Sequence, residues 1–377
     1  MKKQETKDED HMIHKKSIFI FLLLFMFLIA GCQNAGTSGS WYPFGKSPSQ
    51  PKDLNVFTGT NGLTIEFAKN APPPKVIENS DFPVLLTIRN IGAYSISKNE
   101  KGPGFLGALI SIGRERDYIP AISFEKNSRL LGGGTDNEAF FYIDGKTQIN
   151  QKGEELIVPI NAKTGKLDPQ SENKQSAMSA TLCYPYKTVL SATACIDPDV
   201  AGMRPGKKAC TVKDLVYNNG QGAPIAVTKI EPLMIPVADK EMIKPQFLIY
   251  VENKGKGTPV NIVGFHNICR NIDLSKEEVK YTWNVAALKA YTSGKESNQL
   301  ICCPNIDGEC PESEMGNIDK ISGFIRLRDK KDFVRCTFKN GVPKNSDAFT
   351  SPLKIEIDYG YVQTATANFM IQKPLRY

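Results

Sequence analysis

Nine cysteines are the side chains in this 377-residue sequence whose spacing says most about chemistry. Zinc sites need pairs such as Cys-x-x-Cys, which the sequence lacks, and Cys302-Cys303 followed by Cys310 does not have zinc-ribbon spacing. Setting Cys32 aside leaves eight, and an even set predicts disulfides if the chain is exported, with free buried thiols as the alternative. The eight disulfide candidates are Cys183, Cys195, Cys210, Cys269, Cys302, Cys303, Cys310 and Cys336.

The pairing of Cys183 depends on the local chain path. Cys183 and Cys195 are equidistant from Val189, so a hairpin that turned there would place them opposite each other. In one straight strand, a rise of about 3.3 Å per residue would hold them roughly 40 Å apart and forbid a bridge. Residues 187–191 lack turn-forming side chains, so both paths stay open, and a bridge from Cys195 to Cys210 is the alternative.

The remaining residue types give little support to catalysis. Past residue 14 the single histidine is His266, through which any Ser-His-Asp or Cys-His arrangement would have to pass. No G-x-S-x-G, H-E-x-x-H, Walker or dinucleotide-binding pattern occurs. The sequence therefore predicts no catalytic residue, no metal site and no cofactor. An envelope polysaccharide hydrolase using loop carboxylates is the enzymatic alternative, although nothing selects two acids from the background.

Two short acidic groups carry oxygen ligands of the kind that calcium takes. One is Asp197 with Asp199, and the other is Asp307 with Glu309. Neither matches the EF-hand loop, so plain turns are the alternative interpretation.

Positive charge is concentrated in the stretch FIRLRDKKDFVRC, within a chain of formal net charge +7. If Arg326 and Arg328 shared a strand, both would lie on one face and could contact anionic envelope polymers or lipid headgroups. A solvated outer sheet face is the alternative, and nucleic acid is not expected, because aromatic side chains are not interleaved with the cations. This possible anion-binding patch consists of Arg326, Arg328, Lys330, Lys331 and Arg335.

The N-terminus predicts export. Residues 18–30 (IFIFLLLFMFLIA) form an uncharged apolar run behind Lys15 and Lys16, as in a signal peptide. As a helix the run would span roughly 20 Å, short of the ~30 Å hydrocarbon core of a membrane. It ends in Ile29-Ala30-Gly31-Cys32, which resembles the prokaryotic lipobox and implies lipid attachment at Cys32. An uncleaved signal anchor is the alternative, and either would leave the rest of the chain outside the membrane.

The sequence after the signal peptide contains a tandem repeat. VLLTIRNIG aligns with FLIYVENKG, placing Asn90 on Asn253, and ATLCYPYKTV aligns with IEIDYGYVQT, placing Tyr186 on Tyr361. We therefore expect a signal peptide at 1–31, a flexible Gly/Ser-rich tether at 32–53, a first domain at 54–200, a linker at 201–222 and a second domain at 223–377.

Both repeats have the pattern of strands. Short β-branched and aromatic runs broken by Gly, Pro and Asn predict strands, and the absence of a long helical period indicates antiparallel sandwiches. Residues 275–291 fit both a helix and a strand, and we favour a strand. The other predicted strands are 63–67, 84–89, 139–143 and 156–160 in the first repeat, and 225–230, 247–252, 324–327 and 354–357 in the second.

An apolar strand ending in Asn-x-Gly and a closing strand with Tyr-x-Tyr are similar to the immunoglobulin-like domains of the CARDB (cell-adhesion-related) type. Those domains occur in tandem on prokaryotic, notably archaeal, envelope proteins. The resemblance implies an all-β fold of two tandem immunoglobulin-like antiparallel β-sandwiches, here behind a signal peptide with a lipid anchor and a tether. The resemblance indicates the fold and the compartment better than the activity, because β-sandwiches occur in proteins of many functions.

Together these features predict a non-enzymatic, lipid-anchored extracytoplasmic protein of the cell membrane with a binding, structural or adhesion role. Its expected partners are membrane lipid, through the anchor, and an envelope protein or polymer. Besides the hydrolase, the alternative is a spacer subunit of a larger surface complex.

Overall fold

Strands dominate the residues that the computed structural model describes, which are 56–97, 107–125, 129–132, 135–238, 240–262, 265–270, 282–292, 300–303, 323–338 and 341–374. These residues include one short α-helix, α1 (Phe265–Cys269), of five residues, and Thr282 is also helical. None of the helical structure in these ranges is long and apolar enough to cross a membrane. The predicted all-β class is confirmed.

The first repeat supplies nine strands within these ranges, and the four strands predicted there are confirmed with small shifts at their ends. Their bounds are β1 (Leu63–Phe67), β2 (Lys75–Ile77), β3 (Asp81–Asn90), β4 (Ala108–Arg114), β5 (Ala121–Phe124), β6 (Leu130–Gly132), β7 (Glu138–Phe141), β8 (Glu155–Lys163) and β9 (Asn173–Ile196).

The linker and the second repeat supply the remaining strands of the described residues, and the four other predicted strands are confirmed. Of the ambiguous stretch 275–291, the part from Val285 onward is a strand, while 275–281 lies outside the described residues. The bounds are β10 (Leu215–Val216), β11 (Ile225–Pro236), β12 (Met242–Asn253), β13 (Thr258–Val260), β14 (Val285–Thr292), β15 (Ile301–Cys303), β16 (Gly323–Arg326), β17 (Lys331–Thr337), β18 (Val342–Pro343) and β19 (Phe349–Gln372).

These strands form three sheets. The first small sheet has the order β1-β3-β8-β5, and the second small sheet has the order β10-β11-β12-β17-β15, with β18 paired to β12. The central sheet has the order β16-β14-β19-β9-β4-β7-β6, with β13 and β2 also paired to β19. Strand β2 runs parallel to β19, and the other pairings between these strands are antiparallel. The central sheet therefore takes strands from both repeats.

The two repeats join where β9 lies along β19. All 24 residues of β9 pair with the 24 residues of β19 in one uninterrupted antiparallel register. Strand β9 is thus straight through residues 187–191, and of the two open paths the hairpin around Val189 is wrong. Leu190 and the alternate residues before it face the core, so a turn there would remove buried side chains.

The ladder between β9 and β19 is symmetric with respect to the repeats. Tyr186 lies opposite Tyr359, Tyr184 lies opposite Tyr361, and Pro185 lies opposite Gly360. Because Tyr184 and Tyr186 are the repeat equivalents of Tyr359 and Tyr361, exchanging the two repeats leaves the pairing unchanged. A pseudo-two-fold axis therefore passes between Pro185 and Gly360.

One apolar core joins the three sheets. It contains Leu86 of the first small sheet, Ile249 of the second, and Leu182 and Ile355 of the central sheet, all with no measurable exposure. Residues Leu54–Tyr377 accordingly form one compact unit. On the opposite face of the central sheet, a smaller cluster packs Phe265 of α1 against residues that include Cys183 and Val260.

The shared ladder predicts how the protein unfolds. Neither half can lose its structure without exposing the long edge of β9 or β19, so we expect one cooperative transition for residues 54–377. Differential scanning calorimetry of the oxidised protein should give one peak, with equal calorimetric and van't Hoff enthalpies. Two separated peaks would contradict the prediction and favour two independently stable domains.

Candidate functional site

A buried asparagine organises the end of β3 in the first repeat. The side-chain carbonyl of Asn90 accepts hydrogen bonds from the Tyr186 hydroxyl at 3.1 Å and from the Gly92 amide at 3.2 Å. Its amide nitrogen donates to the Tyr94 carbonyl at 2.8 Å. The Asn90 side chain therefore ties the loop backbone to Tyr186 of β9.

The second repeat contains the same arrangement. The Asn253 carbonyl accepts from the Tyr361 hydroxyl at 2.9 Å and from the Gly255 amide at 3.1 Å, and its amide nitrogen donates to the Gly257 carbonyl at 2.9 Å. The Asn-x-Gly and Tyr-x-Tyr motifs that identified the repeat are thus partners in one buried network. The sequence analysis found both motifs but did not show that they contact each other.

Tyr186 and Tyr361 of these networks meet two further buried tyrosines, Tyr184 and Tyr359, at the pseudo-two-fold axis. The rings of Tyr184 and Tyr361 have centroids 5.7 Å apart, and those of Tyr186 and Tyr359 are 6.4 Å apart. Burial raises the pKa of Tyr361 to about 12 and raises the pKa of the other three hydroxyls as well. All four hydroxyls therefore stay protonated at neutral pH and serve as structural hydrogen-bonding groups rather than as bases.

The glycine of each Asn-x-Gly motif is required by this contact. A methyl group at Gly92 would overlap the hydroxyl of Tyr186, and one at Gly255 would overlap the hydroxyl of Tyr361. The glycines let the loop backbone approach the tyrosines closely.

A groove of about 500 Å³ opens beside the tyrosines, between β1 and β19. Tyr184 and Tyr361 contribute to its lining, and the side chain of Gln363 crosses it to donate a 2.7 Å hydrogen bond to the Leu63 carbonyl. The rim also carries the exposed charged residues Glu66 and Lys256. This groove is the candidate binding site. No sequence motif predicted it, because its walls come from residues about 300 positions apart.

The outer face of the central sheet carries an ion-pair network. Glu356 lies 2.7 Å from the Lys354 ammonium, and Asp358 lies 3.4 Å from Lys187 and 3.3 Å from Lys289. Burial alone would raise the pKa of Glu356, but bonds from Lys354 and Tyr291 outweigh it and lower that pKa. A glycosidase acid needs a raised pKa, so these neighbouring carboxylates do not support the hydrolase alternative.

The structure separates the predicted anion-binding patch. Strand β16 ends at Arg326, and Arg328 lies in the following turn, so the expectation that the two arginines share a strand face is wrong. Two guanidinium nitrogens of Arg326 are buried, and they have no hydrogen-bond partner within the described part of the chain. Lys330 lies in the tight turn after Arg328 with a φ of 70°, and β17 then carries Lys331 and Arg335, both exposed. Four of the five cations are therefore at the surface of one turn and strand.

The acidic pair Asp197 and Asp199, just before the linker, has partners that compete with calcium. Lys208 lies 2.6 Å from Asp197 and 3.1 Å from Asp199. The Asp199 carboxylate also accepts the backbone amides of Met203 and Arg204. Asp199 therefore stabilises the turn that follows it. Within the ranges that the structure describes, no three His, Cys, Asp or Glu residues cluster as metal ligands, and Asp307 and Glu309 lie outside those ranges.

Three disulfides join described cysteines: Cys183–Cys269, Cys195–Cys210 and Cys302–Cys336. The alternative pairing of Cys195 with Cys210 is confirmed. The hairpin bridge from Cys183 to Cys195 is wrong, because the straight β9 holds the two residues apart. Cys303 is also disulfide-bonded, whereas Cys32 and Cys310 lie outside the described residues. His266, the histidine considered for catalysis, lies in α1 beside the first bridge.

Comparison with known proteins leaves the family open. No family model and no curated protein matches the sequence. Solved structures that match weakly include the C-terminal domain of the Streptococcus agalactiae AgI/II polypeptide BspA, at 9% identity over 82% of this chain and 100% of that chain, with a TM-score of 0.17. Another is the C-terminal domain of the Streptococcus pyogenes antigen I/II-family protein AspA, at 7% identity over 84% and 100%, with a TM-score of 0.18. Scores this low transfer neither fold nor function to this chain.

The paired networks predict equivalent effects of two substitutions. Tyr186→Phe and Tyr361→Phe each remove a buried hydrogen bond to an asparagine, and we expect each to lower the free energy of unfolding by about 1–3 kcal/mol. Denaturant unfolding would measure this, with Tyr142→Phe as the control, since the structure gives the Tyr142 hydroxyl no hydrogen-bond partner among the described residues. A loss below about 0.5 kcal/mol in both variants, as for the control, would contradict the networks' role.

The straight path of β9 predicts the disulfide map. Proteolysis of the oxidised protein without reduction, followed by mass spectrometry, should recover peptides linked through Cys195 and Cys210 and through Cys183 and Cys269. A peptide linking Cys183 to Cys195 would show that β9 turns back on itself, and would overturn the pairing of β9 with β19.

Proposed function

We propose that this chain is a non-enzymatic binding or structural protein of a prokaryotic cell envelope, held at the extracytoplasmic face of the membrane by a lipid on Cys32. The observation that carries the proposal is the set of disulfides that closes the fold. Structural disulfides persist in oxidising compartments and are rare in the cytosol. An apolar run ending at a lipobox-like cysteine supplies the matching route out of the cell.

The surface of the protein supports a binding role better than an enzymatic one. Backbone amides and Lys208 lower the pKa of Asp199, and Lys354 and Tyr291 lower the pKa of Glu356. Lowered pKa values suit turn formation and ion pairing rather than proton donation. The groove beside β1 instead combines polar groups with the apolar side chains that line it, a combination that suits recognition.

The basic turn is a proposed second contact. Arg328, Lys330, Lys331 and Arg335 present cations on one turn and strand, where they would meet anionic envelope polymers or lipid headgroups. The CARDB-like, cell-adhesion-related character implied by the repeat motifs agrees with both contacts, as does a role as a spacer in a larger surface complex.

Lipid attachment at Cys32 predicts the mature mass and the location of the protein. Mass spectrometry of protein extracted from its native membrane should find an N-terminus at Cys32 carrying acyl chains. Cys32→Ala should move the protein out of the detergent-extracted membrane fraction or leave its leader uncleaved, because the acceptor thiol is gone. Ser38→Ala, a change in the tether that keeps the thiol, is the control. A wild-type protein with an unmodified Cys32 and an intact leader would refute the lipid anchor.

A further inference from the structure

The outer edge of β1 includes backbone groups that have no hydrogen-bond partner among the described residues. Gly62 accepts a hydrogen bond from Ile91 on the β3 side at 3.1 Å, and Ala68 donates to Leu85 on the same side at 2.8 Å. Backbone direction alternates along a strand, so the intervening Leu63, Ile65 and Phe67 direct their amides and carbonyls away from β3. Strand β1 is the edge of its sheet, where such groups can receive another strand.

The same edge is closed in the second repeat. Ile225 and Val227 are the counterparts of Leu63 and Ile65, since Leu63 and Ile225 lie opposite the equivalent residues Asn90 and Asn253. The Val227 amide donates to the side-chain oxygen of Gln221 at 2.9 Å, and the Gln221 side-chain nitrogen donates to the Val227 carbonyl at 3.1 Å. A side-chain amide thus occupies this edge with one donor and one acceptor, as a peptide group of a neighbouring strand would.

Within the described residues of the first repeat, no side-chain amide occupies the matching edge. Leu63 is capped by the Tyr184 hydroxyl at 3.2 Å and by Gln363, but the described residues provide no partner for the edge-facing groups of Ile65 and Phe67. The side chains of both residues pack against the core, which holds this open edge in place. The groove of about 500 Å³ runs along it.

Charges at the rim favour one kind of occupant. Lys256 follows Gly255, which packs against Pro224, and Gly62 at the start of β1 packs against the same proline. Lys256 therefore lies toward the start of β1, while Glu66 lies about 13 Å along the strand at a rise of ~3.3 Å per residue. A segment with an acidic side chain near Lys256 and a basic side chain near Glu66 complements both ends.

We propose that the open edge of β1 binds an extended segment of a partner polypeptide, which adds to the first small sheet as a fifth strand. Its backbone pairs with Ile65 and Phe67, as the Gln221 amide pairs with Val227, and its charged ends meet Glu66 and Lys256. Strand addition of this kind takes affinity from main-chain hydrogen bonds and specificity from alternate side chains. The inference rests on the proposed binding role, but it is independent of the lipid anchor and is tested without it.

The free protein gives the first test. In full-length protein in detergent, hydrogen–deuterium exchange resolved at single amides should be at least about tenfold faster at Ile65 than at Val227, because only the Val227 amide has a partner in the described part of the chain. Equal protection at the two amides would overturn the proposal. Protection at Ile65 that grows with protein concentration would overturn it in favour of pairing between two copies of the chain.

Binding is tested with two capped hexapeptides that carry the charges in opposite order, Lys-Thr-Val-Thr-Val-Glu and Glu-Thr-Val-Thr-Val-Lys. At least one should bind saturably and slow exchange at Ile65 and Phe67. The same peptides methylated on alternate backbone nitrogens keep their side chains but lose donors to the edge, so they should bind at least about tenfold more weakly. No saturable binding by either peptide, or undiminished binding after methylation, would refute strand addition.

A matched pair of variants locates the site. Ile65 directs its amide away from β3, so Ile65→Pro removes the donor at the open edge without removing a hydrogen bond to β3, and proline is tolerated at such edge positions. Ile65→Pro should weaken peptide binding about tenfold or more, and Ile65→Val, which keeps the amide, should leave it within about twofold. Equal affinities in the two variants would place binding elsewhere. Failure here with a lipidated Cys32 would refute this site alone and leave the envelope anchor standing.

Discussion

The structure depends on one strand pairing, the ladder between β9 and β19. Each strand belongs to a different repeat, so their pairing joins the repeats in the central sheet. Both small sheets contribute to the same core as this sheet. A sheet edge 24 residues long would otherwise be exposed on each repeat, and exposed edges of that length pair with whatever strand they meet. The two repeats cover each other's edge, as the two subunits of a symmetric dimer would, but within one chain.

The two repeats are alike in their asparagine–tyrosine networks and differ at the sheet edges next to those networks. Both networks are alike down to the glycine that admits the tyrosine hydroxyl. The differences lie just outside them. Gln221 fills the edge of β11, whereas the matching edge of β1 borders the groove. On the axis, Gly360 lies beneath Phe265, whereas its equivalent is Pro185. Equivalent cores with unequal edges suit a duplicated fold in which one copy has been left open.

Much of the fold could be read from the sequence, because alternation reports which residues face a core. The eight strands predicted from short apolar runs were found, as was the duplication itself. Alternation does not report which strand is the neighbour. Residues 183–195 have the same pattern in a hairpin as in a straight strand paired to β19, so the cysteine pairing could not be chosen from the sequence. The groove was hidden for a related reason, since Leu63 and Gln363 meet only after both repeats have folded.

The lead-in to β1 gives this architecture a mechanical property. Gly59, shortly before β1, is bonded through its backbone to Asn219 and Gly222 in the segment between the repeats, and Lys146 holds the carbonyl of Thr58. Tension applied to the chain ahead of Val56 therefore reaches the joint between the repeats before it reaches the strand itself. The load would be shared by both halves and their long ladder, rather than peeling β1 away from its sheet one hydrogen bond at a time.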